Sequence, residues 1–181
     1  MARSSNDRSI AGYHHSLGTR ESETQAINCD DPLTQVANRK TFDLRLQEEW
    51  KRARRNGSAI SLLLLRIDQF QQFNDQHGQQ FSNSMLQRLA FTLSRVPRRS
   101  TDLFGRYGNE EFAIVLPDTP TYGAKRLAEI LLQRARFCDV TISIGTGTVI
   151  PSESDFRQLL DSAIQALQQA KQEGGNCVVV G

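Results

Sequence analysis

Between residues 39 and 55, Phe42, Leu46, Trp50 and Ala53 recur every three or four positions among charged neighbours, which predicts an amphipathic helix ended by Asn56-Gly57. The period then changes. Ala59 to Asp68 carries four consecutive leucines, Leu62 to Leu65, with no alternation, so it reads as a central strand covered on both faces. Phe70 to Asn74 opens another helical stretch, and Leu86, Leu89, Ala90 and Leu93 mark a helix that stops before Pro97. Strands over 102–107 and 111–116 flank a tight turn, followed by a helix over 121–136, a strand over 140–149, a helix over 155–172 and a strand over 176–180. Gly174-Gly175 is the expected stop of the last helix. The order predicts an α/β or α+β sandwich around a mixed sheet, with no internal repeat.

Residues 1 to 29 are rich in Ser, Arg, Asn, Gly and Thr and read as a flexible polar tail or linker, leaving residues 30 to 181 as one globular domain able to bury a real core. The chain carries 22 basic and 20 acidic residues, a balance too mild to call for nucleic acid. The run Lys51-Arg-Ala-Arg-Arg55 ends a predicted helix, where positive charge suits the macrodipole. Cys29, Cys138 and Cys177 are odd in number without CxxC spacing, which fits reduced thiols better than a disulfide scaffold or a zinc site. His14, His15 and His77 show no ligand spacing. With no apolar leader and no apolar run near the roughly 18 residues that cross a bilayer, a cytoplasmic chain without membrane contact is expected.

Chemistry concentrates at Arg106-Tyr-Gly-Asn-Glu-Glu-Phe112, which places two carboxylates on the turn between two predicted strands. Upstream lie Asp31-Pro-Leu-Thr-Gln-Val-Ala-Asn-Arg39, Arg66-Ile-Asp-Gln-Phe-Gln-Gln-Phe-Asn-Asp75 and Arg99-Ser-Thr-Asp102; downstream lies Thr141-Ile-Ser-Ile-Gly145. In this order the blocks resemble the GGDEF domain of diguanylate cyclases over about residues 30 to 180. The resemblance implies a nucleotidyl cyclase-like sandwich with a central mixed sheet flanked by helices and a β-hairpin carrying the motif. It also implies a bacterial signalling role.

Active members of that family join two GTP molecules into cyclic di-GMP across a dimer, using divalent ions held by carboxylates. Mg²⁺ is a hard cation that needs oxygen ligands. The positions that match the family's metal-binding carboxylates are Arg66 and Glu110, with the Ile67 backbone as a further ligand in an active site. A guanidinium about 5 Å from a divalent ion costs on the order of 6 kcal/mol at an effective dielectric of ~20, before the missing ligand is counted. Two-metal catalysis is therefore expected to fail and no cofactor is expected; Mg²⁺ belongs to the cyclase alternative. Arg66 is expected to pair with Glu110, or to meet a phosphate itself.

The motif departs again at Asn109, where the family has glycine, although Gly108-Asn109 can still turn tightly because Asn tolerates left-handed φ. Glu111 and Phe112 match. By the resemblance, guanine recognition falls to Asn74 and Asn83; the latter replaces an aspartate, and an amide cannot accept from both guanine N1–H and N2–H. Gln71 and Gln168 replace family residues, while Lys171 keeps a phosphate-facing position. Arg99 and Asp102 sit at the spacing of the family's inhibitory RxxD site, which binds cyclic di-GMP. Such a pair reads guanine without metal. Arg98 is a helper there, Arg106 reads as a structural strand residue, and Arg134 and Arg136 are candidates for a further arginine although Leu132 is nearest in register. Three readings stay open: a non-catalytic cyclic di-GMP sensor, an active cyclase that binds GTP, and a module for homodimerisation or for docking another signalling protein.

Overall fold

The computed structural model describes residues 29–152 and 156–181. The expectation of a tail over 1–29 falls almost wholly outside them. The elements run α1 (Arg39–Asn56), β1 (Ile60–Ile67), α2 (Phe70–His77), α3 (Gln79–Leu93), β2 (Leu103–Arg106), β3 (Glu111–Pro117), α4 (Thr121–Arg136), β4 (Ile142–Val149), α5 (Arg157–Gln172) and β5 (Val178–Val180). The strands form one mixed sheet in the order β2-β3-β1-β4-β5, antiparallel except for the parallel β4–β5 pair.

The unbroken apolar run of β1 has the predicted cause. Leu63, Leu65 and Ile67 pack with Met85, Leu86, Leu89 and Leu93 of α3 and Ala124, Ala128 and Leu131 of α4. Ile60, Leu62 and Leu64 face the other way, onto Phe42, Leu46 and Trp50 of α1 and Leu159, Ala163 and Leu167 of α5. Burial on two faces makes β1 the centre of the sandwich and leaves Arg66, next to its last residue, half-buried.

Local signals fix the helix ends. The Asn38 side chain accepts from the Thr41 N–H at the start of α1, and Gly57 closes that helix at φ 62°. Helix α5 lies so close to β4 that a Cβ on Gly145 would meet the Leu167 N at 2.2 Å and the Ala163 O at 2.3 Å. Several boundaries differ from the sequence expectation, β5 for one starting at Val178 rather than residue 176. Helix α3, expected on Leu86, Leu89, Ala90 and Leu93, starts at Gln79, where Gly78 at φ 81° separates it from α2. Strand β4 starts at Ile142 rather than residue 140, after Asp139 at φ 58°.

Candidate functional site

The end of β1 meets the β2–β3 hairpin and the end of α5. Arg66 stands opposite Glu111 on one side of the ladder and opposite Ser143 on the other. Its Nη2 donates to Glu110 Oε1 at 2.7 Å and its Nη1 to Glu111 Oε1 at 3.3 Å. The guanidinium therefore holds both motif carboxylates at once, although the expected partner was Glu110 alone. The Ile67 N–H donates to the Glu110 carbonyl at 3.1 Å, which ties the hairpin to the strand end.

Arg66 also divides two cavities. One, of about 260 Å³, lies between the hairpin and α5 and includes Tyr107, Glu111, Gln168 and Lys171. The other, of about 310 Å³, opens past Asp68, Gln71, Glu110 and Gly175. Arg66 and Lys171 line both. Across the two cavities Arg66 and Lys171 face three carboxylates, Asp68, Glu110 and Glu111, so the positive charge there is offset.

A divalent ion does not fit the residues present. Arg66 carries a positive charge, and it holds the two carboxylates beside it, Glu110 and Glu111. Asp68, next along the chain, accepts from Ser143 Oγ at 2.6 Å and from the Asn176 N–H at 2.9 Å. Among the described residues, no group of three or more His, Cys, Asp or Glu is placed to hold a metal ion.

The hairpin corrects one expectation. Neither Gly108 nor Asn109 takes a positive φ. The Tyr107 N–H and the Gly108 N–H both donate to the Glu111 carbonyl, at 2.8 and 3.1 Å, so the loop is longer than a two-residue turn and does not need a left-handed residue at Asn109. Arg106 braces it: its Nη2 donates to the Asn109 carbonyl at 2.8 Å and its Nη1 to Asp31 Oδ2 at 3.2 Å. Burial pushes the Asp31 carboxyl up, but hydrogen bonds from the Thr34 side chain and backbone, with the Arg106 charge, outweigh it and hold the group below its ordinary value. Arg39 lies 3.5 Å above the Tyr107 ring, and burial of that phenol raises its pKa.

Asn74 and Asn83, expected from the resemblance to meet guanine, lie on α2 and α3. Asn74 Oδ1 is buried without a hydrogen-bond partner, an acceptor left open. Asn83 Oδ1 is taken by Gln79 Nε2 at 2.8 Å. Phe73, His77 and Phe81 stack beside them, with ring centroids 4.5 Å apart for the first pair and 5.4 Å for the second.

Arg99 and Asp102 form a closed unit before β2. Asp102 Oδ1 accepts from Arg99 Nε at 3.0 Å and Asp102 Oδ2 from the Arg99 N–H at 3.1 Å, while Arg99 Nη2 reaches Thr119 Oγ1. The Asp102 side chain is 3% exposed and that of Arg99 48%. Arg98 lies on the neighbouring surface with Arg134. Leu132, nearest in register for a further arginine, instead packs on the core. Sequence reasoning gave Arg39, Asp31 and Asp68 no part here. Arg39 and Asp31 lie within the opening block it quoted and Asp68 within the second, so position was the available signal.

A mixed five-stranded sheet with helices on both faces, and an acidic hairpin beside the end of its central strand, defines a domain of the nucleotidyl cyclase class. The chain belongs to the GGDEF family: the family model described as "Diguanylate cyclase, GGDEF domain" matches residues 28–177. It is 29% identical over 168 residues to the probable diguanylate cyclase DgcC of Escherichia coli, covering 88% of this chain and 45% of that protein. Among solved structures, it is similar to the GGDEF domain of DgcB from Caulobacter crescentus in complex with c-di-GMP, at TM-score 0.78 and 29% identity, covering 84% of this chain and 95% of that one. The active GGEEF domain of a diguanylate cyclase from Vibrio cholerae matches at TM-score 0.74 and 28% identity, covering 81% and 97%. The chain spans less than half the length of the curated relatives it matches. No described helix is long and apolar enough to cross a membrane.

Proposed function

We propose that this domain binds cyclic di-GMP through Arg99 and Asp102 as a second-messenger sensor and does not cyclise GTP. The observation that carries the second half is the Arg66 guanidinium bonded to Glu110 and Glu111. A glutamate at the third motif position is no obstacle in itself, since the Vibrio cholerae domain is an active GGEEF domain. The obstacle is the arginine facing it, which brings repulsion where a metal-dependent reaction needs attraction. Glu110, Glu111, Asn74, Asn83, Gly108, Asn109 and Lys171 then form a site that has lost its chemistry. The Asn74 Oδ1 acceptor and the Lys171 charge support GTP as an unreacted ligand there.

The first half rests on the Arg99–Asp102 unit and on the similarity to a domain solved with c-di-GMP. The ligand exchanges with contacts the pair makes to itself. Arg99 leaves Asp102 and Thr119 to meet a phosphate or a guanine O6/N7 edge, and Asp102 accepts from guanine N1–H and N2–H. Arg98 adds charge beside them. Three cysteines without CxxC spacing suit a cytoplasmic setting, and the signal passes to a second copy or to another signalling protein. The test is a chromatographic assay for cyclic di-GMP made from GTP and Mg²⁺, run beside thermal melts with added cyclic di-GMP. No product, with a melting shift present in the wild type and lost in Arg99→Ala and Asp102→Ala, supports the sensor. Product formation supports a cyclase; neither signal leaves a dimerisation or docking module.

A further inference from the structure

Helix α1 carries seven basic and three acidic side chains. Each acid is taken by a neighbour on the same helix: Asp43 by Arg39 at 2.8 Å, Glu48 by Arg45 at 3.7 Å and Glu49 by Arg52 at 3.2 Å. Lys40, Lys51, Arg54 and Arg55 make no ion pair with a described residue. These four cations share one side of the helix. With 3.6 residues per turn, Lys40, Leu44, Gln47, Lys51, Arg54 and Arg55 fall in a stripe about 100° wide, opposite the buried Phe42, Leu46 and Ala53. All six are exposed, Leu44 at 53%, and the stripe runs about 22 Å without a carboxylate. Helix electrostatics do not account for it. The macrodipole favours Arg54 and Arg55 in the last turn, but Lys40 stands in the first turn, at the positive end, where no acid accompanies it. Lys51 repels Arg54 and Arg55 three and four positions on. The arrangement costs the helix stability, which an anion outside the domain restores.

We propose that this stripe is a contact surface for an anionic lipid bilayer, which the domain meets with α1 lying along the headgroups. Two features favour lipid over a protein. A single helix face of about 22 by 10 Å is far smaller than the roughly 800 Å² that each partner buries in a stable protein complex, whereas headgroups move laterally and need no matching shape. Leu44, the apolar residue of the stripe, sits among the cations, where it enters the interfacial region while the long basic side chains reach the lipid phosphates. A second copy is a poor occupant, because two positive stripes repel. The sequence expectation of no membrane contact rested on the lack of a spanning run, and a surface contact needs none. The proposal does not depend on the sensor reading.

Sedimentation of the full chain with vesicles tests it, using phosphatidylcholine alone and phosphatidylcholine with about one third phosphatidylglycerol, near 0.1 M salt. The wild type should bind the anionic vesicles, ignore the neutral ones and be released as salt rises. Each cation removed from the stripe should weaken partitioning about fivefold, so Lys40→Gln should bind about fivefold and Lys51→Gln/Arg55→Gln about 25-fold more weakly. Lys125→Gln/Arg126→Gln lowers the net charge equally at exposed positions of α4 and should stay within about twofold of the wild type. Thermal melts check folding, and Lys51→Gln/Arg55→Gln should be no less stable than the wild type because it relieves repulsion. A wild type that does not bind the anionic vesicles would overturn the proposal, and binding to poly-L-glutamate in that case would assign the stripe to an acidic protein. An equal loss in Lys125→Gln/Arg126→Gln would also overturn it, by showing that net charge alone sets the binding.

Discussion

Replacing Arg66 by Asp inverts the charge at the end of β1, and the structure sets the size of the effect. The variant loses contacts of 2.7 and 3.3 Å to Glu110 and Glu111. The guanidinium is 37% exposed, so each pair contributes about 1 kcal/mol or less after solvent screening. In its place stand three carboxylates, whose mutual repulsion costs about 1–3 kcal/mol for each close pair without a cation. Toward a divalent ion about 5 Å away, the same substitution changes a repulsion on the order of 6 kcal/mol into an attraction of similar size. Arg66→Asp should therefore melt below the wild type in chelator and recover when Mg²⁺ or Mn²⁺ is added. At ten times the dissociation constant the ion contributes about 1.4 kcal/mol, or roughly 3–6 °C for a domain of this size. Arg66→Ala, which removes the obstacle without adding a ligand, should show a smaller response. A melt of Arg66→Asp that ignores divalent ions, or a wild-type melt that rises by the same amount, would refute the reasoning.

Two further substitutions probe what positions the site. Gly145→Ala would drive a methyl group into the α5 backbone at 2.2 Å and should cost about 3 kcal/mol or more, read as a lower urea midpoint; a loss under 1 kcal/mol would contradict the close β4–α5 approach. Asp31→Asn should weaken the brace to Arg106 near neutral pH. The Asp31 pKa is held below the ordinary carboxylate value, so its contribution is complete above about pH 4 and is lost as pH falls through the folded value. The stability gap between wild type and variant should accordingly close in acid; a gap of constant size would contradict it.

The fold was legible because β1 and the helices that cover it are strongly patterned. Four leucines without alternation could be read as a strand buried on both faces, and the spacing of Phe42, Leu46 and Trp50 as one helix face. Two helices were legible between β1 and β2 but the place of their break was not, since the polar run from Gln76 to Gln80 has no period and the separation depends on the φ of Gly78. At the site, the replacement of a carboxylate by Arg66 was plain, and the Arg66–Glu110 pair followed from opposite charge on neighbouring strands. Its second arm to Glu111 depends on ladder register, which one strand alone does not reveal. The turn at Asn109 was misjudged because residue preference was applied to a loop whose length is set by the Glu111 carbonyl.

The measurement that bears most directly on the proposed role is calorimetric titration of nucleotide-stripped wild-type protein with cyclic di-GMP, at a concentration that detects micromolar binding. A saturable isotherm is predicted. A flat trace would contradict the sensor and leave the domain a structural or protein-docking role.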